Sequence, residues 1–194
     1  MSDDRILFWS KGPEEWRFLS AFDERGFNDR NIYYKTVEHW YQANKCYRAD
    51  EFRRVVGAST PQEAKRLGKG APADLARESS LNAMYDGYQK KFAAHPKLAR
   101  KLMETGDREL VHFAPWGDTY WGVGKDMQGE NQQGKVLMRI RSDLQKAHRA
   151  ALDEISARPK VVCGTYGCTN LKPEGFIFCE TCQQDYRDDP EAFK

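Results

Sequence analysis

The sequence predicts an α+β fold: a single, mainly helical domain with a small β-sheet over residues 1–157, then a small ribbon-like element over residues 158–194. Three observations predict it. Apolar residues recur at three- and four-residue spacing through most of the chain, while runs that read as strands are few and short. A length of 194 residues supports one well-packed core and a small appendage. Four of the five cysteines crowd into residues 163–182, beyond the break "SARPK".

Taken in order, Ile6–Trp9 and Ile32–Tyr34 read as strands around the polar turn "FNDRN". The next segment, "TVEHWYQANK", has helical periodicity, with Val37, Trp40, Ala43 and Tyr47 on one side and Glu38, Gln42 and Lys45 opposite. Periodicity by itself describes a surface helix with its polar face in water. In "STPQEAKRLG", Thr60 is the N-cap, Pro61 opens the first turn, Glu63 completes a capping box and Gly68 terminates. Helical spacing returns from Asp74 to Phe92 through Leu81, Met84, Tyr85 and Tyr88, and "HPKLARKLMETG" is a short helix opened by Pro96 and closed by Gly106. "ELVHFA" reads as a buried strand, followed by a glycine-rich loop from Trp116 to Gly134. A last long helix carries Val136, Leu137, Ile140, Leu144 and Ala147 on one face and is expected to run to Ile155.

Thirty-one Lys and Arg against 29 Asp and Glu leave a net charge of +2, so no global basic field points to nucleic acid and any such contact is local. No stretch reaches the roughly 18 apolar residues of a membrane span. The start "MSDDRILFWSKG" has acids where a secretory signal needs positive charge. The expectation is a cytoplasmic protein with no membrane partner, whose cysteines are thiols or metal ligands.

Cys163, Cys168, Cys179 and Cys182 follow the spacing C-x4-C-x10-C-x2-C. Two sulfur pairs on tight turns, joined by a hairpin turning at Pro173, Glu174 and Gly175, fit a tetrahedral zinc site with a full shell of thiolates. Such zinc is structural: it stabilises a segment too small to fold on its own apolar surface. Cys46, on the apolar flank of its helix, reads as a core thiol. No organic cofactor is expected, because the glycine spacing fits neither a phosphate loop nor a dinucleotide fingerprint. In "APWGDTYWGVGKDMQGENQQG" the glycines permit close ligand approach, Trp116, Tyr120 and Trp121 offer flat surfaces, and Asp118 offers a carboxylate. From composition alone this is equally a surface loop whose aromatics plug the core.

Six segments together resemble the NADAR family, associated with NAD and ADP-ribose metabolism: "FLSAF", "YKTVEHWYQANK", "TPQEAKRLG", "KFAAHPKLARKLMETGDRELV", "APWGDTYWGVG" and "GENQQGKVLMRIR". They run in the family's order over about residues 6–147, leaving the cysteine element outside. The resemblance implies an N-glycosidase domain in which the "VEHWYQANK" helix lines the pocket. Glu38 and Lys45 then face a ligand rather than bulk water. Glu38, Lys45 and Asp118 are the expected catalytic residues. Ser20, Tyr41, Gln42 and Lys65, with Trp116, Trp121, Gly122 and Asn131 of the loop, are the expected substrate contacts. The sequence departs from the family pattern at Ala21, where Asn is usual, at His112, where an acid often follows "LV", and near residue 76, where many members carry Trp. These departures mark a pocket adapted to another leaving base.

Breaking a ribose C–N bond builds positive charge on the anomeric carbon, which a carboxylate such as Glu38 or Asp118 stabilises or uses to activate water. Lys45 can protonate the leaving nitrogen or form a Schiff base with the opened sugar. Trp121, Trp116 or Tyr41 can stack on a purine, and Lys65 can hold phosphates. The leading expectation is removal of ADP-ribose from guanine in nucleic acid, as in repair or as an antitoxin. The alternatives are hydrolysis of phosphoribosylamino-pyrimidine intermediates of riboflavin synthesis, a ribosylamine nucleotide substrate, and a non-catalytic module that binds ADP-ribose or an NAD derivative. The zinc element suits a polymeric substrate or a protein contact.

Overall fold

The computed structural model describes residues 4–69, 77–163 and 168–188. Strand β1 (Arg5–Phe8) buries Ile6 and Phe8 and pairs in parallel with β4 (Glu109–His112), with Ile6 beside Leu110 and Phe8 beside His112. Parallel partners need a crossover, and this one carries every element from a 3-10 helix (Glu14–Leu19) to α5 (Pro96–Met103).

The "FNDRN" segment is only partly a turn. β2 (Phe27–Asp29) and β3 (Ile32–Tyr34) form an antiparallel hairpin closed by Arg30 and Asn31 alone, with φ of 47° and 65°. Two consecutive positive φ values suit the twist of a two-residue hairpin, which frees Phe27 to stack on Tyr34 at 5.9 Å. β1 therefore pairs elsewhere, and Phe27–Asp29 is an added strand.

Helices α1 (Val37–Ala43), α2 (Ala49–Gly57) and α3 (Pro61–Gly68) pack on one another, and α1 also packs on α4 (Arg77–Ala94). The sequence pattern signals neither α2 nor the 3-10 helix. In α3 the Thr60 Oγ1 accepts from the Glu63 N–H at 3.1 Å, while the Glu63 carboxylate accepts from Ser59 N–H at 2.7 Å, a capping box closed one residue early. Asp74, the expected start of the next helix, and the neighbourhood of residue 76 lie outside the described residues; the described α4 buries Met84, Tyr88 and Phe92 at four-residue spacing. α5 gives way to Gly106 at φ 62°, as expected of a helix terminator. α6 (Gln132–Ala157) begins before Gly134, so that glycine is helical rather than part of the loop. Phe8, Phe18, Leu19, Tyr88, Leu110 and Leu137 sit at the centre of the core. The fold is α+β, mainly helical with small two-stranded sheets.

The chain forms two compact units, Met1–Leu144 and Gln145–Lys194, dividing within α6. In the second, β5 (Lys160–Val162) pairs antiparallel with β6 (Leu171–Pro173), and α7 (Glu180–Asp188) follows. Pro173, Glu174 and Gly175 do not turn this hairpin. Pro173 is the last residue of β6, and Glu174 and Gly175, the latter at φ 88°, follow it and lead to the second cysteine pair; Cys163 and Cys168 lie between the strands. Among the described residues no helix is long and apolar enough to cross a membrane.

Candidate active site

All seven residues of α1 are buried, so its polar face is not in water. Thr36 caps the helix, its Oγ1 accepting from His39 N–H at 3.3 Å, and the His39 ring reaches the Ala58 carbonyl at 3.2 Å, tying α1 to the end of α2. Glu38, held at its own N–H by the Ala21 carbonyl at 2.9 Å, is only 5% exposed. The Gln42 Nε2 donates to Glu38 Oε1 at 2.7 Å, and the Lys45 Nζ, beyond the helix end, donates to Gln42 Oε1 at 3.0 Å. Burial pushes the Glu38 carboxyl up, a shift that the Gln42 hydrogen bond and the charges of Lys65 and Lys45 only partly oppose. Burial likewise pulls Lys45 down, against the attraction of Glu38.

The loop after β4 supplies the second carboxylate. Asp118 Oδ1 accepts from Trp121 N–H at 3.0 Å, and Oδ2 lies 3.8 Å from Lys65 Nζ on α3. The Trp121 ring meets Tyr41 edge-on at 5.4 Å, which joins the loop to α1. A third wall is the segment after the 3-10 helix. Lys91 of α4 is fully buried beneath it, its Nζ donating to Phe18 carbonyl at 2.7 Å and pairing with Asp23 at 2.9 Å.

These walls enclose a cavity of about 830 Å³. It brings together Glu38, Lys45 and Asp118 with Ser20, Tyr41, Gln42, Lys65, Trp116 and Trp121. Gly122 and Asn131 stand outside the lining. Asn131, at φ 50°, accepts from His112 N–H at 3.0 Å and donates to Leu110 carbonyl at 2.9 Å, stapling the loop to β4. Gly122 donates its N–H to the Asp118 carbonyl at 3.1 Å. Sequence reasoning missed Gln62, Arg66 and Lys69, which share the lining with Lys65 at helical spacing, a signal the periodicity of α3 contains. It also missed Trp9, Lys11, Met84 and Gln133. Gln133 opens an otherwise apolar helix face and donates to the Tyr88 hydroxyl at 2.7 Å, a pairing no local pattern encodes. Among the described residues, five cations, Lys11, Lys45, Lys65, Arg66 and Lys69, line the cavity with two acids, Glu38 and Asp118, so it favours an anionic ligand.

The NADAR domain matches residues 7–145. The chain belongs to the NADAR family. Similar relatives include an N-glycosidase of Nostoc punctiforme, 32% identical over 144 residues, which cover 71% of this chain and 92% of that one. N-glycosidase YbiA of Escherichia coli is 33% identical over 151 residues, covering 74% and 91%. The chloroplastic riboflavin biosynthesis protein PYRR of Zea mays is 36% identical over 123 residues, 56% of this chain but only 19% of that protein. The NMR structure of E. coli YbiA superimposes with a TM-score of 0.66 at 25% identity, covering 82% of this chain and 92% of the other. This NADAR chain is accordingly an enzyme of the glycosidase class.

In the second unit, the sulfurs of Cys163, Cys168, Cys179 and Cys182 all lie within 4.8 Å of one another. Cys168 and Cys179 are 3.7 Å apart, against about 3.8 Å for the edge of a tetrahedron with 2.3 Å metal–sulfur bonds. These residues can hold a metal ion.

Proposed function

We propose that this NADAR protein hydrolyses the C–N bond between ADP-ribose and guanine in nucleic acid. The observation that carries the proposal is the chain Glu38, Gln42, Lys45 on one buried wall, facing a cavity lined by cations and by Trp116 and Trp121. Lysines and the arginine suit a pyrophosphate, and the indoles suit stacking on a purine. Glu38, Lys45 and Asp118 act in catalysis. As the C–N bond breaks, its electron pair goes to the base nitrogen, which Lys45 protonates. Asp118 stabilises the cationic sugar. Glu38 takes a proton from water as the oxygen adds to the anomeric carbon. Gln42 holds both charged groups in place, and burial keeps the Glu38 carboxylate basic and the Lys45 ammonium acidic.

A second reading is favoured by the match to the maize riboflavin biosynthesis protein: hydrolysis of a phosphoribosylamino-pyrimidine. The smaller substrate would leave Arg66 and Lys69 without a phosphate. The four cysteines bind structural zinc, since four thiolates suit that ion and leave no open position. The zinc element serves substrate or protein contact, and reversal of nucleic-acid ADP-ribosylation places the enzyme in the cytoplasm, in repair or antitoxin roles.

The test is mass spectrometry of an oligonucleotide carrying ADP-ribosyl-guanine, incubated with wild type and with Glu38→Gln. Loss of the ADP-ribose mass with wild type alone is expected. Equal loss with the variant removes Glu38 from catalysis; no loss with wild type, alongside turnover of the pyrimidine ribosylamine, replaces the first reading by the second.

A further inference from the structure

His112, the last residue of β4, belongs to the cavity lining but has no part in the chemistry above. It is 8% exposed, and its ring is clamped on several sides. It stacks on Phe8 at 5.4 Å, meets Trp116 edge-on at 6.0 Å, and puts Nδ1 3.3 Å from the Trp121 carbonyl oxygen. A carbonyl oxygen only accepts, so Nδ1 carries the proton and Nε2 is a bare lone pair. Gly122 makes room for this contact: a Cβ there would press on the His112 carbonyl at 2.5 Å and on Nδ1 at 3.1 Å. Burial holds the imidazole pKa down to about 4, which keeps the ring neutral and the lone pair available.

Among the described residues, Nε2 has no hydrogen-bond partner. Two buried amides of this wall do have partners: Gln133 at the Tyr88 hydroxyl, and Gln42 at Glu38 and Lys45. An acceptor without a protein donor, on a largely buried ring that lines the cavity beside an exposed indole a planar base can cover, is a place prepared for a ligand's hydrogen.

We propose that His112 is a specificity residue whose Nε2 accepts a hydrogen bond from an N–H or O–H of the bound nucleotide, either the exocyclic amine of its purine or a ribose hydroxyl. The inference rests on the reading of the cavity as an ADP-ribose site. A ligand presenting a carbonyl at that point sets lone pair against lone pair and is rejected; one lacking the donor leaves Nε2 desolvated and unpaired.

The experiment is calorimetric titration of ADP-ribose, its hypoxanthine counterpart, and analogues each lacking one ribose hydroxyl, into wild type, His112→Phe and His112→Gln. Phe keeps a ring against Phe8 and Trp116 without an acceptor, Gln restores an acceptor oxygen, and thermal melting shows that each variant is folded. One analogue is expected to bind wild type about tenfold or more weaker than ADP-ribose, to bind His112→Phe as well as ADP-ribose does, and to be discriminated again by His112→Gln. Which analogue it is identifies the amine or the hydroxyl. If every analogue loses the same factor with wild type and with His112→Phe, the inference fails while the ADP-ribose site stands. If wild type binds no ADP-ribose, the site reading fails and the inference with it.

Discussion

Glu38 and Lys45 face one cavity without forming an ion pair: the amide of Gln42 lies between them, 2.7 Å from the carboxylate and 3.0 Å from the ammonium. A direct pair would stabilise both charged forms, making the carboxylate less basic and the ammonium less acidic, whereas an intervening amide orders the two groups at a greater separation. The hydrogen-bonded link between these groups therefore runs through a side chain that carries no charge, while their charges still act on each other through space.

Gln42→Leu removes that link. The lost hydrogen bond had been lowering the Glu38 pKa against burial, so the carboxyl shifts further up. Because Glu38 acts ionised, the acid limb of the kcat/KM profile moves to higher pH. The rate at neutral pH falls about 10- to 100-fold, in line with about 1.5–3 kcal/mol for a hydrogen bond to a charged group. A pH–rate profile checks this, and an unmoved acid limb contradicts it.

Glu38→Gln is expected to inactivate the enzyme yet stabilise it. The folded-state pKa of Glu38 lies above the unfolded value, so its contribution to stability is intact below the ordinary 4.5 and declines as pH rises through the folded value. Glutamine escapes that decline. At pH 8 the variant should gain about 1 kcal/mol, or about 2–4 °C in Tm, a gain that disappears in acid. Melting curves across pH measure it, and a Tm deficit at pH 8 would count against the burial argument.

Lys91→Met strips the Phe18 carbonyl of its donor and leaves Asp23 with Arg25 alone. The expected cost is about 3–5 kcal/mol, that of breaking a buried pair. Burial draws the folded Lys91 pKa down to about 8 from 10.5. Between those values the unfolded chain holds the extra proton, so wild-type stability rises with pH and the gap to the variant widens. Urea denaturation at pH 7 and pH 10 tests the sign.

Wild type should carry one zinc ion per chain by elemental analysis, and Cys179→Ser should lose most of it. Chelation should collapse the NMR resonances of β5, β6 and α7 while those of the first unit persist, because metal supplies the folding energy that a small segment lacks. Metal-free protein with unchanged spectra over residues 160–188 would refute a structural ion.

Local chemistry made much of this molecule legible. Thr60 and Glu63 fix α3 through a capping box, Pro96 and Gly106 bracket α5, and the cysteine spacing brings four sulfurs together. Tertiary relationships were not legible. Glu38 and Lys45 were recognised by resemblance, since the periodicity of α1 describes a wet face, and only α3, the loop after β4 and the segment after the 3-10 helix make that face the wall of a cavity. Asn131 is placed among the ligand contacts by its match to the family's loop motif. The structure adds that its amide satisfies two backbone groups of β4, a partnership between residues about twenty positions apart. The FNDRN turn was overextended because two positive-φ residues outside glycine carry no compositional mark.

The β1–β4 pairing sets Arg5 beside Glu109, with the 3-10 helix, the β2–β3 hairpin and helices α1 to α5 spliced between them. On a ribosome emitting residues from the N-terminus, β1 waits without its partner until β4 and the loop behind it have left the tunnel. Contacts of such sequence separation form slowly. The catalytic walls therefore close late in synthesis, and a nascent chain stalled before His112 would carry Glu38 and Lys45 but no cavity for them to face.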